Sequence, residues 1–154
     1  RRIPLMEERL LFVEPGGRLG RGPISFAEAI TSELALNGRR DIVWRLVHAT
    51  AERLSLSVNA VFEVQSVEAI KTLISRNVAT SIMPYGVVAQ ELARGTLSGR
   101  PIERPALTRT LFLASYEPRR GTVDEDQLMR FLGRMIASLS ERIGDLAVPL
   151  REIG

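Results

Sequence analysis

The chain has 154 residues, of which 45% are hydrophobic and 25% are charged, a balance typical of ordinary globular proteins rather than of disordered or membrane-spanning ones. Its 21 Lys and Arg against 18 Asp and Glu give a formal net charge of +3, but the basic pairs are dispersed, so they do not indicate a nucleic-acid groove. The absence of Cys excludes disulfide bonds, thiolate metal ligands and a cysteine nucleophile.

The N-terminal segment predicts a cytoplasmic protein with no membrane association. Glu7 and Glu8 stand where a signal peptide needs an uninterrupted apolar core. No apolar run approaches the roughly 20 residues that cross a bilayer. Because the sequence begins without Met and enters a strand-like segment almost at once, we expect it to be a fragment of a longer chain.

The first predicted elements are short. Residues 10–13 (LLFV) form a continuous apolar run typical of a buried strand, and the Gly- and Arg-rich residues 14–22 predict an exposed loop. Residues 25–28 (SFAE) form a capping box, which predicts the start of a helix. Residues 34–36 predict another brief strand.

This strand leads into a first strand–turn–helix corner. The segment 37–41 (NGRRD) combines turn residues with a candidate N-cap, Asp41. The apolar residues of the helix that follows are expected to lie on one face: Val43, Leu46, Val47, Thr50 and Leu54.

A second corner lies within a βαβ crossover. Residues 58–64 alternate as a strand with both faces partly apolar, as expected inside a parallel sheet. Ser66 is placed to cap the next helix, whose backbone N–H groups at residues 65–67 are expected to be available to an anion or a polar molecule. Residues 79–83 predict the return strand, which Pro84 ends. The buried side of the helix is expected to comprise Val67, Ile70, Leu73 and Ile74.

The remaining elements lead to a long closing helix. Residues 85–94 predict a helix ended by Gly95, with residues 101–103 extended and residues 108–116 a strand. A capping box at residues 122–125 predicts the last helix. Its apolar residues recur at helical spacing: Leu128, Phe131, Leu132, Met135, Ile136, Leu139 and Ile143.

No signature of an enzyme, a cofactor or a metal site is found. The single histidine, His48, has no accompanying nucleophile or orienting carboxylate in the sequence, and it is expected to be a surface or partly packed side chain. Residues 124–126 (DED) are better explained as the solvated first turn of a helix than as a Mg²⁺ site. The glycines at 16–17 and 20–22 do not lie between a strand and a helix as a nucleotide-binding loop requires.

The two corners are the remaining candidates for function. In open α/β sheets, ligands usually bind at the carboxyl ends of the strands, where such corners lie. Asn37 and Gln65 carry amides, Ser66 a hydroxyl and Arg39 a guanidinium that suits a carboxylate. The alternative is that Ser66 only caps its helix and that Arg39 is solvated; Gly38 is a turn residue under either interpretation.

Several segments in this order resemble the effector-binding domain of LysR-type transcriptional regulators. They include EVQS at residues 63–66, TLI at residues 72–74 and IMP at residues 82–84, followed by TRTLFLASY at residues 108–116 and the closing helix. The family usually shows a Gly-x-Gly pair between that helix and the return strand, where this chain has Arg76-Asn77-Val78-Ala79.

The resemblance implies an α/β, periplasmic-binding-protein-like (type 2) fold of two α/β subdomains, the first of them incomplete. Residues 1–22 would be a remnant of subdomain I, residues 23–103 subdomain II, and residues 104–154 the return to subdomain I. Apolar surface on residues 111 and 113 and on the closing helix is then expected to be exposed. DNA would be bound only through an N-terminal winged helix-turn-helix domain that is absent from this sequence.

The resemblance also implies a function, the sensing of a small polar or anionic effector that binds between the subdomains and changes the geometry of a DNA-bound oligomer. The chain would pair as a homodimer, with a tetramer as the full-length form, and would not be an enzyme. A solute-binding protein, a small-molecule enzyme on the same fold and a protein-interaction module remain alternatives. The residues implied to bind the effector are Asn37, Gly38, Arg39, Gln65, Ser66, Val67, Met83 and Pro84.

Overall fold

The computed structural model describes residues 2–18, 21–114 and 124–150, and the chain divides into two compact units. One unit comprises residues 9–107, and the other comprises residues 1–8 with residues 108–154. Strand β1 (Arg2–Pro15) contributes residues to both. The subdomain boundaries proposed from the sequence, after residues 22 and 103, stay a prediction.

The unit of residues 9–107 is built on a mixed β-sheet. Strand β1 pairs antiparallel with β5 and β6, β2 pairs parallel with β6, and β3 pairs parallel with β4. A parallel bridge between Leu34 and Thr80 links β3 to the start of β5. The elements are β2 (Ile24–Ser25), α1 (Phe26–Thr31), β3 (Leu34–Leu36), α2 (Ile42–Arg53), β4 (Ala60–Glu63), α3 (Val67–Ser75), β5 (Ser81–Pro84), α4 (Tyr85–Arg94) and β6 (Leu97–Glu103).

The hydrophobic core of this unit lies where α1 and α2 meet the sheet. Phe26 and Ile30 of α1 and Val47 of α2 are buried in one cluster with side chains of the strands. Each such side chain contributes roughly 1.5–3 kcal/mol through its burial. Strand residues in the cluster include Leu10, Phe12, Leu34, Leu36, Ile82 and Ile102.

The predicted helix boundaries of this unit are confirmed at four caps. The Ser25 hydroxyl accepts a hydrogen bond from the amide of Glu28 at the start of α1. Asp41 caps α2 and Ser66 caps α3 in the same way. Helix α4 ends at Gly95, whose φ of 72° is the left-handed conformation that glycine adopts without steric cost.

The other unit contains strand β7 (Thr108–Ala114), helix α5 (Glu125–Ile143), a 3-10 helix (Gly144–Leu146) and strand β8 (Ala147–Pro149). Both strands pair with β1. The carboxylate of Glu8, only 4% exposed, lies 2.9 Å from Nε of Arg109 on β7. Because a buried carboxylate needs a partner, this ion pair explains how a charged residue is accommodated inside β1.

Two predictions for the start of the chain are wrong. Strand β1 covers Arg2–Pro15 rather than residues 10–13, since Ile3, Met6 and Glu8 are buried along it despite the charges between them. Glu14, expected to begin an exposed loop, belongs to β1 and is 1% exposed.

Strand β4 lies at a sheet edge among the described residues, although the sequence predicts a strand inside a parallel sheet. All four of its residues are exposed, because β3 lies on one side and no strand of the described residues pairs with the other. Leu54, placed on the buried side of α2 from the sequence, follows the end of that helix and is 42% exposed. Strand β6, predicted over residues 101–103, begins at Leu97.

Helix α5 has the predicted apolar spacing but a largely exposed apolar side. Phe131 and Met135 are 52% and 54% exposed, whereas Ile136 and Ile143 are buried. On β7, Phe112 is exposed while Leu111 and Leu113 are half-buried. The N-cap of α5 is Asp124; the rest of the predicted capping box, at residues 122–123, and the predicted strand end at residues 115–116 lie outside the described residues.

The junction between α3 and β5 follows a left-handed turn without glycine. Asn77 has a φ of 58°, and asparagine tolerates this conformation better than most residues. The backbone N–H of Asn77 donates to the carbonyl of Ile74 at 2.9 Å. Asn77 therefore provides the turn where the resembled family usually has glycine.

Candidate functional site

The two predicted corners lie side by side. Strands β3 and β4 are parallel neighbours, and Leu36, the last residue of β3, is in register with Glu63, the last residue of β4. Because parallel strands present their carboxyl ends at the same edge of a sheet, the loop that follows each strand starts from that edge. The amide of Val64 continues the pairing by donating to the carbonyl of Leu36 at 2.9 Å.

A solvent-open pocket of about 720 Å³ lies between these loops. Residues 37–41 line it from the first corner, and Glu63, Gln65 and Val67 line it from the second. The pocket lies entirely within the unit of residues 9–107. Its walls therefore combine two amides, two guanidinium groups and two carboxylates.

Five of the eight residues implied by the resemblance come together in this pocket: Asn37, Gly38, Arg39, Gln65 and Val67. Their role in binding stays a prediction. Ser66 is exposed and is not among the described lining residues; its hydroxyl accepts the amide of Ala69 at 3.2 Å.

Met83 and Pro84 also lie outside this lining. Both are buried in β5, where they are in register with Leu11 and Leu10 of β1. A floor made of these two residues is therefore not found in this pocket.

Arg40, Asp41 and Glu63 are lining residues that sequence reasoning missed as ligand candidates. A signal for Glu63 existed in the sequence, because Glu63 lies two residues before Gln65, at the end of the strand that leads into the second corner. Glu63 reaches the first corner: a Cβ atom added to Gly38 would lie 2.9 Å from Glu63 Oε1 and 3.7 Å from Gln65 Nε2. Glycine at position 38 thus makes room for these two side chains.

The helix N-termini at the two corners are partly satisfied by their own caps. Asp41 Oδ1 accepts the amides of Val43 and Trp44 at 2.8 and 3.3 Å, so a carboxylate already occupies the positive end of α2. The Ser66 hydroxyl satisfies only the third amide of α3, that of Ala69. The expectation of available N–H groups at residues 65–67 therefore applies at most to the first amides of α3.

Arg39 lies against an aromatic pair on α2. Its Cζ is 5.8 Å from the centroid of the Trp44 ring, a distance at which a cation is attracted to the ring face. Trp44 stacks on His48 with centroids 3.7 Å apart, and His48 Nδ1 lies 2.9 Å from the Trp44 carbonyl oxygen. His48 is half-buried, as predicted, and does not line the pocket.

An ion pair fixes α3, which carries part of the pocket wall, to α4. Lys71 Nζ lies 2.9 Å from Glu91 Oε1 and 3.4 Å from Glu68 Oε1. Burial alone would lower the pKa of Lys71, but its hydrogen bonds to Glu91 and Glu68 outweigh burial and raise it. The hydrogen bond from Lys71 lowers the pKa of Glu91 against the effect of burial.

Within residues 2–18, 21–114 and 124–150, no group of three or more His, Cys, Asp or Glu side chains is arranged to hold a metal ion. In the same ranges no helix has the length and apolar character that crossing a membrane requires.

Comparison with known proteins identifies the family. The family model described as "LysR substrate binding domain" matches residues 1–137. A search of curated proteins gives no significant match.

Solved structures with the same fold include two regulatory domains and one effector-binding domain. The CcmR regulatory domain of Synechocystis PCC6803, in complex with 2-PG, is 18% identical with a TM-score of 0.69 over 86% of this chain and 64% of that one. The effector-binding domain of QuiR in complex with shikimate is also 18% identical, with a TM-score of 0.69 over 88% of this chain and 64% of that one. The apo regulatory domain of HypT from Salmonella typhimurium is 20% identical, with a TM-score of 0.64 over 90% of this chain and 66% of that one. The chain spans less than two thirds of the length of the CcmR and QuiR structures.

Proposed function

The chain belongs to the LysR substrate-binding domain family, and on this basis we propose that it senses a small polar or anionic effector at the pocket between its two strand–turn–helix corners. The observation that carries the proposal is the parallel pairing of β3 and β4, which starts both loops from one sheet edge. The fold is periplasmic-binding-protein-like, and the family is one of regulatory domains of transcription factors rather than of enzymes.

The groups around the pocket suit a polar ligand with an anionic group. Arg39 and Arg40 are exposed, and neither forms an ion pair with another described residue. A guanidinium offers two parallel donors to a carboxylate or phosphate. The amides of Asn37 and Gln65 add both donors and acceptors. Two structural relatives with the same fold hold small ligands, 2-PG in CcmR and shikimate in QuiR, which supports the binding of a small molecule by this chain.

In the proposed mechanism the ligand acts by differential affinity. The chain operates in a regulator whose separate N-terminal winged helix-turn-helix domain binds DNA, and which pairs as a homodimer and assembles as a tetramer. An effector shifts such an oligomer only if it binds one arrangement better than the other, and about 5.5 kcal/mol of difference inverts a 1:99 population. Because operator DNA lies in the cytoplasm of a bacterium, the proposal also places the chain there.

Arg39→Ala in the complete regulator tests the proposal. The substitution removes an exposed guanidinium that pairs with no described acidic residue, so it is expected to preserve folding and DNA binding while weakening the effector response by about tenfold or more. Arg45→Ala is the matched control, because Arg45 is an exposed residue of α2 outside the pocket lining. Effector-dependent transcription from a reporter and operator binding without effector are measured together.

Ser66→Ala provides a second, structurally different perturbation. It removes the cap of α3, which costs about 1 kcal/mol, so its effect on the effector response is expected to accompany a lower melting temperature. For the Arg39→Ala variant, a response equal to that of the parent regulator with every compound that activates the parent would contradict the assignment of this pocket.

A further inference from the structure

The wall of the pocket contains the carboxylate of Glu63, and no described residue balances its negative charge. Glu63 ends the exposed edge strand β4, and its Oε1 lies close enough to the first corner that a Cβ atom on Gly38 would come within 2.9 Å of it. Among the described residues, no cation or hydrogen-bond donor pairs with Glu63. The other pocket carboxylate, that of Asp41, is engaged by the amides of α2.

An unpaired carboxylate in the wall of a binding pocket acts against a ligand that is only anionic. A carboxylate or phosphate drawn to Arg39 or Arg40 would also be repelled by Glu63, since both charges lie in the same pocket. A ligand with one anionic and one cationic group avoids this conflict. Its anionic end pairs with a guanidinium, and its ammonium group donates to Glu63.

The neighbouring groups complete a site for an ammonium ion. An ammonium group carries three donors and no acceptor. Glu63 can accept one of them, and the side-chain amides of Asn37 and Gln65, which line the same pocket, each carry a further acceptor oxygen. The two exposed guanidinium groups of residues 39–40 supply the opposite charge.

We propose that the effector of this pocket is an amino acid or a close derivative that keeps both charged groups, and that Glu63 selects it by binding the amino group. This inference rests on the proposed function, because it concerns the ligand of the same pocket. It assigns Glu63 to specificity, while Arg39 and Arg40 serve the anionic group that amino acids share with many other metabolites.

Matched sets of compounds test the assignment on the purified chain. Each set contains an L-amino acid, the 2-hydroxy acid of the same skeleton and the decarboxylated amine; serine, glycerate and ethanolamine form one set, and the other standard amino acids form the rest. A set is called active if at least one of its compounds raises the melting temperature of the chain. Calorimetric titration then gives the dissociation constant of each compound in the active sets. In an active set, the amino acid is expected to bind at least about tenfold more tightly than either analogue, because each analogue leaves one charged group of the pocket unpaired.

The variant Glu63→Gln separates selection from folding. It keeps the size of an exposed side chain, so the melting temperature without ligand is expected to change little, while the preference for amino acid over hydroxy acid falls to less than about threefold. Glu52→Gln, an exposed glutamate of α2 outside the pocket lining, is the matched control and is expected to keep the full preference.

Three results would overturn the assignment. The first is a 2-hydroxy acid that binds as well as its amino acid, the second an unchanged preference in Glu63→Gln, and the third no binding by any set. If hydroxy acids bind and lose affinity in Arg39→Ala, the role of Glu63 is refuted while the sensing function of the pocket stands.

Discussion

Replacement of Lys71 by Met tests how α3 is held beside the pocket. The side chain of Lys71 is 14% exposed and that of Glu91 is 24% exposed, so the pair is screened by water less than a surface pair. Glu91 Oε2 is buried and has no hydrogen-bond partner, so the carboxylate loses its main compensation when the ammonium group is removed. A hydrogen bond to a charged group contributes about 1.5–3 kcal/mol. After allowance for partial exposure, we expect a loss of about 1–2 kcal/mol in the free energy of unfolding, or roughly 3–6 °C in melting temperature.

The loss should depend on pH in a defined direction. The pKa of Lys71 is raised from its ordinary value of 10.5, so its stabilisation is complete below that pH and is lost as the pH rises through the folded-state pKa. The pKa of Glu91 is lowered from 4.5, so its stabilisation is complete above that pH and is lost as the pH falls through the folded-state pKa. The difference between the parent chain and Lys71→Met is therefore expected to be largest between pH 4.5 and 10.5.

Urea unfolding of the parent chain, Lys71→Met, Glu91→Gln and the double variant measures the coupling between the two side chains. Glu68→Gln is the control, because Glu68 is 82% exposed and its pair with Lys71 is expected to contribute less than about 0.5 kcal/mol. Additive effects of Lys71→Met and Glu91→Gln would refute the reasoning. An undiminished loss in Lys71→Met as the pH falls through the folded-state pKa of Glu91 would also contradict it.

Three further predictions concern the pocket and α5. Gly38→Ala should leave the melting temperature within about 2 °C, because the added methyl meets the movable end of Glu63, yet it should weaken effector binding measured by calorimetry; unchanged affinity would argue against the pocket. Trp44 is the one tryptophan of the chain, so an effector that engages Arg39 should change its fluorescence, and Arg39→Ala should abolish that change; an identical response in both proteins would exclude contact with Arg39. Met135 lies in an exposed apolar pocket of about 510 Å³, and Met135→Ser should lower the binding of a hydrophobic dye; equal dye fluorescence would show that this surface is covered in solution.

Local rules of helix capping account for the elements that were predicted well. Ser25, Asp41, Ser66 and Gly95 mark helix ends whose signals lie within a few residues of sequence. The extent of β1 could not be predicted, because the burial of Glu8 depends on Arg109, about a hundred residues later in the chain. The same holds for β4, since alternation of apolar residues does not tell an edge strand from an interior one.

The sequence predicts which two loops form the pocket, but it does not predict which charged side chains line it. Asn37, Gly38, Arg39 and Gln65 follow strands that the sequence places in parallel, so their convergence follows from topology. The reach of Glu63 to the opposite loop depends on the register of β4 against β3 and on the missing side chain at Gly38. Neither feature is visible in the sequence alone.

Mapping of backbone amide chemical shifts on addition of an effector tests the central claim most directly. The compound used is the one that raises the melting temperature most. We expect the largest shifts at Asn37, Gly38, Gln65 and Val67, with helix α5 almost unaffected. Largest shifts on α5, or no shift at either corner of the pocket, would show that the effector does not bind between the loops that follow β3 and β4.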